Sequence, residues 1–110
     1  MSRTRYWWYT IVKTVAGRSL RGQISNNSDM GKKIINRAVK AAYRRTGSLT
    51  DGAERVYAIN SIIKERKKNA GGVALDCYIC ERTVNKWISE FVHLVAAEMG
   101  IYHPPQKGDN

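Results

Sequence analysis

The spacing of apolar residues between Ala70 and Met99 constrains the fold of this chain more than any other feature. A helix-turn-helix unit joins two short helices by a tight turn and buries apolar side chains at a few fixed positions. The residues at those positions are apolar or, in one case, a small thiol: Val73, Ala74, Cys77, Ile79, Val84 and Trp87. The pattern predicts a helix-turn-helix whose second helix begins near Glu81, where a carboxylate suits the positive end of the helix dipole.

Four residues depart from the usual pattern of such a unit. Tyr78 occupies the turn position that usually carries glycine, because the backbone there favours a left-handed conformation. Cys80 stands where a serine or threonine usually caps the second helix, and a thiol is a weaker acceptor. Gly71 and Gly72 are poor helix formers, so we expect the first helix to be short and to begin near Val73.

Polar residues recur along the other side of the predicted second helix. Arg82, Lys86, Ser89 and His93 follow one another at helical spacing, and we expect His93 to be an exposed neighbour on this stripe. A helix with such a stripe can lie in the major groove of DNA. The candidate base-reading residues are Arg82, Thr83, Asn85, Lys86 and Ser89. The alternative is an ordinary pair of core helices with no role in DNA binding.

The formal net charge of +10 is unevenly distributed along the chain. Residues 1–69 contain sixteen Lys/Arg against four Asp/Glu, which gives +12, whereas residues 70–110 contain three against five, which gives −2. A strongly basic chain favours a polyanionic partner, either nucleic acid or an anionic membrane surface. No run approaches the ~18 apolar residues of a membrane span. Two cysteines cannot form a secreted disulfide framework, so we expect a cytoplasmic protein.

The first helix is predicted over residues 5–16, with Gly17 as its end. One face of it carries Trp8, Ile11, Val12 and Val15. The aromatic run Tyr6–Tyr9 either anchors the core, because Trp and Tyr bury large areas, or stacks on single-stranded bases beside the neighbouring arginines. Residues 18–28 are polar and rich in turn formers, which predicts a loop.

Two further helices are predicted, one from Asp29 to Arg45 with Ser28 as its cap and one from Gly52 to Lys68. The first of them has an apolar side that includes Ile34, Ala38 and Ala42. Basic residues form a stripe on the first helix and a cluster at the end of the second. These candidate phosphate contacts are Lys33, Arg37, Lys40 and Arg44 on the stripe, and Lys64, Arg66, Lys67 and Lys68 in the cluster. A merely solvated face is the alternative for the stripe.

The absence of any strand pattern predicts an all-α fold of four to five helices that ends in the helix-turn-helix. Residues 1–69 would supply supporting helices, 70–102 the helix-turn-helix with a long final helix, and 103–110 a disordered tail. The final helix carries a second apolar stripe: Ile88, Val92, Val95 and Met99. Its cover is either the first helix or, slightly favoured, a second copy in a homodimer.

Metal binding and catalysis find little support in the sequence. Cys77 and Cys80 have the spacing of a zinc finger's cysteines, but His93 and His103 are too far apart for its histidines. The acidic residues are scattered, and no glycine-rich phosphate loop is present. We therefore expect no enzyme, no metal and no cofactor.

The run ERTVNKWISEFVHLVAAEMGIY, with ERVYAINSIIKERKK before it, resembles the C-terminal half of the ArpU/RinA-type phage transcriptional regulators. That half is similar in turn to the sigma-factor region that reads the −35 promoter element. The resemblance covers residues 53–102 and is carried by Glu81, Arg82, Thr83, Val84, Trp87, Phe91, Val95, Ala96, Gly100 and Ile101. It implies a small DNA-binding activator of phage or prophage genes in the bacterial cytoplasm. Double-stranded DNA is then the expected partner, with bacterial RNA polymerase as a second one to test.

Two other functions stay open. A phage DNA-packaging component similar to a small terminase subunit would bind DNA as a ring of many copies, whereas a regulator would be a monomer or dimer. An RNA-binding antiterminator would use the basic first half together with the aromatic run.

Overall fold

The structure is a computed structural model that describes residues 6–25 and 30–102, and all regular structure in those ranges is helical. The described residues form five α-helices: α1 (Tyr9–Leu20), α2 (Met30–Gly47), α3 (Gly52–Ala58), α4 (Ala70–Cys77) and α5 (Glu81–Glu98). Helix α3 continues directly into a π-helical segment, Ile59–Lys64. The predicted all-α class is confirmed. The predicted cap at Ser28 and the predicted disordered tail lie outside the described residues.

Helix α5 lies at the centre of the fold and packs against α1, α2, α3 and α4. Its buried side chains cover a wide arc: Val84, Trp87, Ile88, Phe91, Val92, Val95 and Ala96. The second apolar stripe is therefore part of the chain's own core, with Val92 and Val95 fully buried and Met99 packed against the cluster. A second copy is not needed to cover this stripe, which removes the argument that favoured a homodimer.

Helix α1 continues past Gly17 to Leu20, so the prediction that Gly17 ends the helix was wrong. A Cβ atom at Gly17 would lie 2.8 Å from the carbonyl oxygen of Ile63. Glycine at this position therefore permits close packing of α1 against the π-helical segment. The chain reverses instead at Gly22, whose φ is +74°. Arg21 donates hydrogen bonds to the carbonyl oxygens of Ile63 and Lys64, at 3.3 and 2.9 Å, and so satisfies acceptors at the end of that segment.

The buried face of α1 differs from the predicted one. Tyr9, Val12 and Ala16 are buried, whereas Ile11 is 57% exposed. Apolar residues surround so much of this helix that periodicity alone does not select the face. The polar segment after Gly17 is partly helical, and the side chain of Asn36 tethers it by accepting from Ser19 Oγ at 2.6 Å and donating to the Ile24 carbonyl at 2.9 Å.

Helix α2 ends at Gly47 rather than Arg45, and Ile34, predicted to belong to its apolar side, is exposed. The third helix, predicted to reach Lys68, ends with the π-helical segment at Lys64. Arg66 then adopts a left-handed φ of 55°, which no continuing helix can accommodate. Lys67 and Lys68 consequently lie on a non-helical connector, and their backbone N–H groups donate to the Ser61 carbonyl at 2.9 and 3.3 Å.

An arginine on α3 links that helix to α5. The guanidinium of Arg55 lies 2.7 Å from Asp51 Oδ1 and 2.6 Å from Glu90 Oε1, and it sits 5.8 Å from the centre of the Trp87 ring. Burial alone would lower the pKa of Arg55, but the hydrogen bonds to Glu90 and Asp51 outweigh that effect and raise it. The guanidinium therefore stays charged and neutralises a carboxylate in the middle of α5.

Candidate nucleic-acid interface

A short helix, a tight turn and a long helix occupy the segment for which the helix-turn-helix was predicted. Helix α4 begins at Ala70, three residues earlier than expected. The side chain of Asn69 caps it by accepting a hydrogen bond from the backbone N–H of Gly72 at 2.9 Å. Capping of this kind typically contributes about 1 kcal/mol, which offsets part of the poor helix propensity of Gly71 and Gly72.

The turn takes the backbone conformation expected of it, although its residues are unusual. Tyr78 adopts the left-handed conformation, with φ 59° and ψ 44°, and its side chain is 93% exposed. Cys80 is extended, and α5 begins at Glu81 as predicted, but the Cys80 side chain makes no capping hydrogen bond. The surrounding packing therefore imposes this geometry without the usual glycine or hydroxyl cap.

The six apolar positions from which the unit was predicted all face the core. Val73 and Val84 are fully buried, and Ala74 and Trp87 are nearly so. Cys77 and Ile79 are half-buried and pack against the same cluster. Because one side of α4 and α5 is held in this way, the opposite side of α5 is presented in a fixed orientation.

The predicted base-reading residues divide into two groups. Arg82, Asn85 and Lys86 are exposed on the first turns of α5, whereas Thr83 and Ser89 are half-buried. The Thr83 hydroxyl lies 3.3 Å from Cys80 Sγ, and the carbonyl oxygen of Ser89 accepts a hydrogen bond from the His93 ring. The exposed group is therefore better placed than Thr83 and Ser89 to contact an external ligand.

A groove of about 970 Å³ runs between the beginning of α1 and the first half of α5. Its lining residues are Tyr6, Tyr9, Lys13, Arg82, Asn85, Lys86, Ile88, Ser89, Glu90 and His93. We call it the α1–α5 groove. It joins the exposed reading candidates to a cation, Lys13, that the sequence analysis did not assign to any site. The sequence carried no signal for this pairing, since Lys13 and Arg82 are far apart along the chain.

His93 was predicted to be an exposed polar neighbour, and this was wrong. It is half-buried, and its Nδ1–H donates to the Ser89 carbonyl at 2.7 Å. Four aromatic rings surround it with centroid separations of 4.9 to 5.9 Å: Tyr6, Trp8, Tyr9 and Tyr102. We call these five residues the His93 cluster. Edge-on ring contacts of this type contribute about 0.5–1.5 kcal/mol each beyond burial, so the cluster holds the beginning of α1 beside α5.

The second half of the aromatic run thus anchors the core, which agrees with one of the two interpretations predicted for the run. Trp8 and Tyr9 are buried, and Trp8 stacks on Tyr6 with ring centres 5.0 Å apart. Tyr6 and Trp7 are the exceptions, since they are 50% and 78% exposed.

The basic stripe of α2 faces away from the core. Arg37, Lys40 and Arg44 are exposed and Lys33 is half-buried. At 100° per residue the stripe is centred about 180° from the buried face of the helix. Within the described ranges none of the four side chains pairs with a carboxylate. The stripe can therefore offer its full charge to a ligand.

The predicted cluster around the connector is less uniform. Arg66 and Lys67 are exposed and Lys64 is half-buried. Lys68, in contrast, forms an ion pair with Asp76 and donates to the Tyr57 hydroxyl at 2.9 Å. Hydrogen bonds to Asp76 and Tyr57 raise the pKa of Lys68. Its charge is thus offset within the protein, which makes it the weakest of the phosphate-contact candidates.

The two cysteine thiols are free and differ in environment. Burial raises the pKa of the half-buried Cys77, while hydrogen bonds with Thr83 lower the pKa of the exposed Cys80. Among the described residues, no group of three or more His, Cys, Asp or Glu side chains is arranged to hold a metal ion. None of the described helices combines the length and the apolar character that a membrane crossing requires.

Comparisons with protein-family models, with curated proteins and with solved structures found no match to this chain. The resemblance to the ArpU/RinA-type regulators therefore stays a prediction that depends on the residues quoted above.

Proposed function

We propose that this protein is a non-enzymatic regulator that binds a specific double-stranded DNA sequence and activates transcription of phage or prophage genes. The observation that carries the proposal is the exposure of Arg82, Asn85 and Lys86 on the first turns of α5. These turns project from a helix whose other side is locked in the core. A recognition helix of this kind contacts base edges with its N-terminal residues.

The chemistry of these side chains suits base reading. Arginine and lysine donate to the O6 and N7 atoms of guanine, and asparagine can pair with N6 and N7 of adenine. Each good bidentate contact discriminates against the wrong base by about 1–3 kcal/mol. Three such donors on consecutive turns can therefore specify a short sequence.

Charge outside α5 supports the same proposal. The cations of the α2 stripe, which form no ion pair within residues 6–25 and 30–102, can neutralise backbone phosphates together with Arg66 and Lys67 on the connector. Such contacts position a protein on the duplex but carry no sequence information. Because the second apolar stripe of α5 is covered within the chain, we take the monomer as the DNA-binding unit.

The resemblance supplies the biological setting of the proposal. If the chain is similar in function to the ArpU/RinA-type regulators, it acts in the cytoplasm of a bacterial host and works with bacterial RNA polymerase. The packaging and antiterminator alternatives predict different behaviour in the following experiment.

Selection of bound sequences from a pool of random DNA duplexes tests the proposal directly. We expect one enriched motif, bound by a monomer in light scattering. Arg82→Ala should then weaken binding to that motif by about 1–3 kcal/mol and affect random DNA less. Lys67→Ala is the matched control, since loss of a phosphate contact weakens both alike. A pool without any enriched motif, a ring-shaped oligomer, or tighter binding of single-stranded RNA would contradict the proposal.

A further inference from the structure

The α1–α5 groove brings together cations from two helices. Lys13 belongs to the α1 wall, and Arg82 and Lys86 belong to the α5 wall. Within the described residues none of these three side chains pairs with a carboxylate. The groove also contains Glu90, but Arg55 holds that carboxylate in an ion pair at 2.6 Å. The α1–α5 groove therefore carries a net positive charge, although residues 70–110, which supply its α5 wall, have a net charge of −2.

We propose that this groove receives the phosphodiester backbone of one DNA strand, with Lys13 as a phosphate contact beside the bases read from α5. The inference depends on the proposed function and deepens it by assigning a second DNA-binding element, α1. A half-buried lysine is suited to this role, because its methylene stem packs against the wall while its ammonium group reaches the phosphate.

The aromatic residues of the groove favour a backbone over an unpaired base. A base would need a free ring face on which to stack. Tyr9 is only 8% exposed. Tyr6 is 50% exposed, but Trp8 stacks on one of its faces, and the rings of His93 and Tyr102 contact it edge-on at 5.7 and 5.6 Å. These rings are thus occupied mainly by their contacts with one another, which leaves the cations as the groups that recognise a ligand.

The α1 wall is held in place, so Lys13 occupies a defined position. Val12, next to Lys13, is buried, and Ala16 one turn further on is fully buried. At the other end, the His93 cluster joins Trp8 to α5 with the Trp8 and His93 ring centres 5.2 Å apart. A phosphate contact from such a wall requires little ordering on binding.

The test is the salt dependence of duplex binding by the full chain, measured with the selected motif. For B-DNA the slope of log K against log salt is about −0.9 per neutralised phosphate. Lys13→Gln should therefore make the slope shallower by about 0.9. Its affinity deficit relative to wild type should shrink by about 3.5-fold between 50 and 200 mM salt. Lys13→Arg should restore the slope, because it keeps the charge.

Arg18→Gln is the matched control, since it removes one positive charge from an exposed site on the same helix outside the groove. We expect its slope to equal that of wild type. Equal slope changes in Lys13→Gln and Arg18→Gln would overturn the inference, because the effect would then come from net charge alone. An unchanged slope in Lys13→Gln, with the motif still bound specifically, would overturn the inference and leave the proposed function standing. Absence of any duplex binding would overturn both.

Discussion

Replacing Tyr78 by glycine should stabilise the protein, although the change removes a large side chain. Tyr78 holds a left-handed backbone with φ 59°, which costs an L-residue other than glycine roughly 1–2 kcal/mol. Its side chain is 93% exposed, so the ring contributes little burial. Glycine removes the strain, but its greater freedom in the unfolded chain costs about 0.5–1 kcal/mol. The midpoints of these two ranges give an expected net gain in the free energy of unfolding of about 0.7 kcal/mol.

Thermal and urea denaturation followed by far-UV circular dichroism measures this gain. For a domain of this size it corresponds to a rise in Tm of roughly 2–8 °C, with an unchanged urea m-value. Tyr78→Ala is the control, because alanine keeps the Cβ atom and hence the strain while removing the same exposed ring. Its stability should lie within about 0.5 kcal/mol of wild type. If Tyr78→Gly proves no more stable than Tyr78→Ala, the turn does not store the strain inferred here.

Two further predictions follow from local packing and from the thiols. Gly17→Ala should destabilise the protein, because the new Cβ atom would lie 2.8 Å from the Ile63 backbone oxygen. Gly72→Ala has no neighbour closer than 3.6 Å and should stabilise the protein by up to about 1 kcal/mol through helix propensity. Equal shifts of Tm in the two variants would contradict this packing. In the native protein a thiol reagent should modify Cys80 first, and Cys80 should stay reactive at lower pH than Cys77, because hydrogen bonds with Thr83 lower the pKa of Cys80 while burial raises that of Cys77. Peptide mapping that finds Cys77 modified first would refute the assignment.

Several features of the fold could be predicted from the sequence because they depend on local pattern. The six apolar positions between Val73 and Trp87 specify two helices and the turn between them, and all six face the core. The start of α5 at Glu81 follows from the same six positions, and the largely exposed basic stripe of α2 follows from the 3.6-residue period of a helix. The spacing of apolar residues in a short segment indicates which side of its helix is buried.

Predictions from local pattern were wrong where a residue contacts a segment that is distant along the chain. Gly17 resembles a helix stop in sequence, but the close approach of Ile63 requires a glycine within the helix. Lys68 resembles its exposed neighbours, yet Asp76 and Tyr57 engage it.

The candidate site shows the same division between sequence and tertiary structure. The sequence predicted Arg82, Asn85 and Lys86 as reading candidates on α5, but it did not distinguish them from Thr83 and Ser89, which are half-buried. The packing of α1 against α5 brings Lys13 into a groove with Arg82 and Lys86, and it surrounds His93 with aromatic rings. The periodicity of one helix fixes which of its faces is buried. It carries no information about the partner that covers that face, because the partner is set by how separate helices pack together.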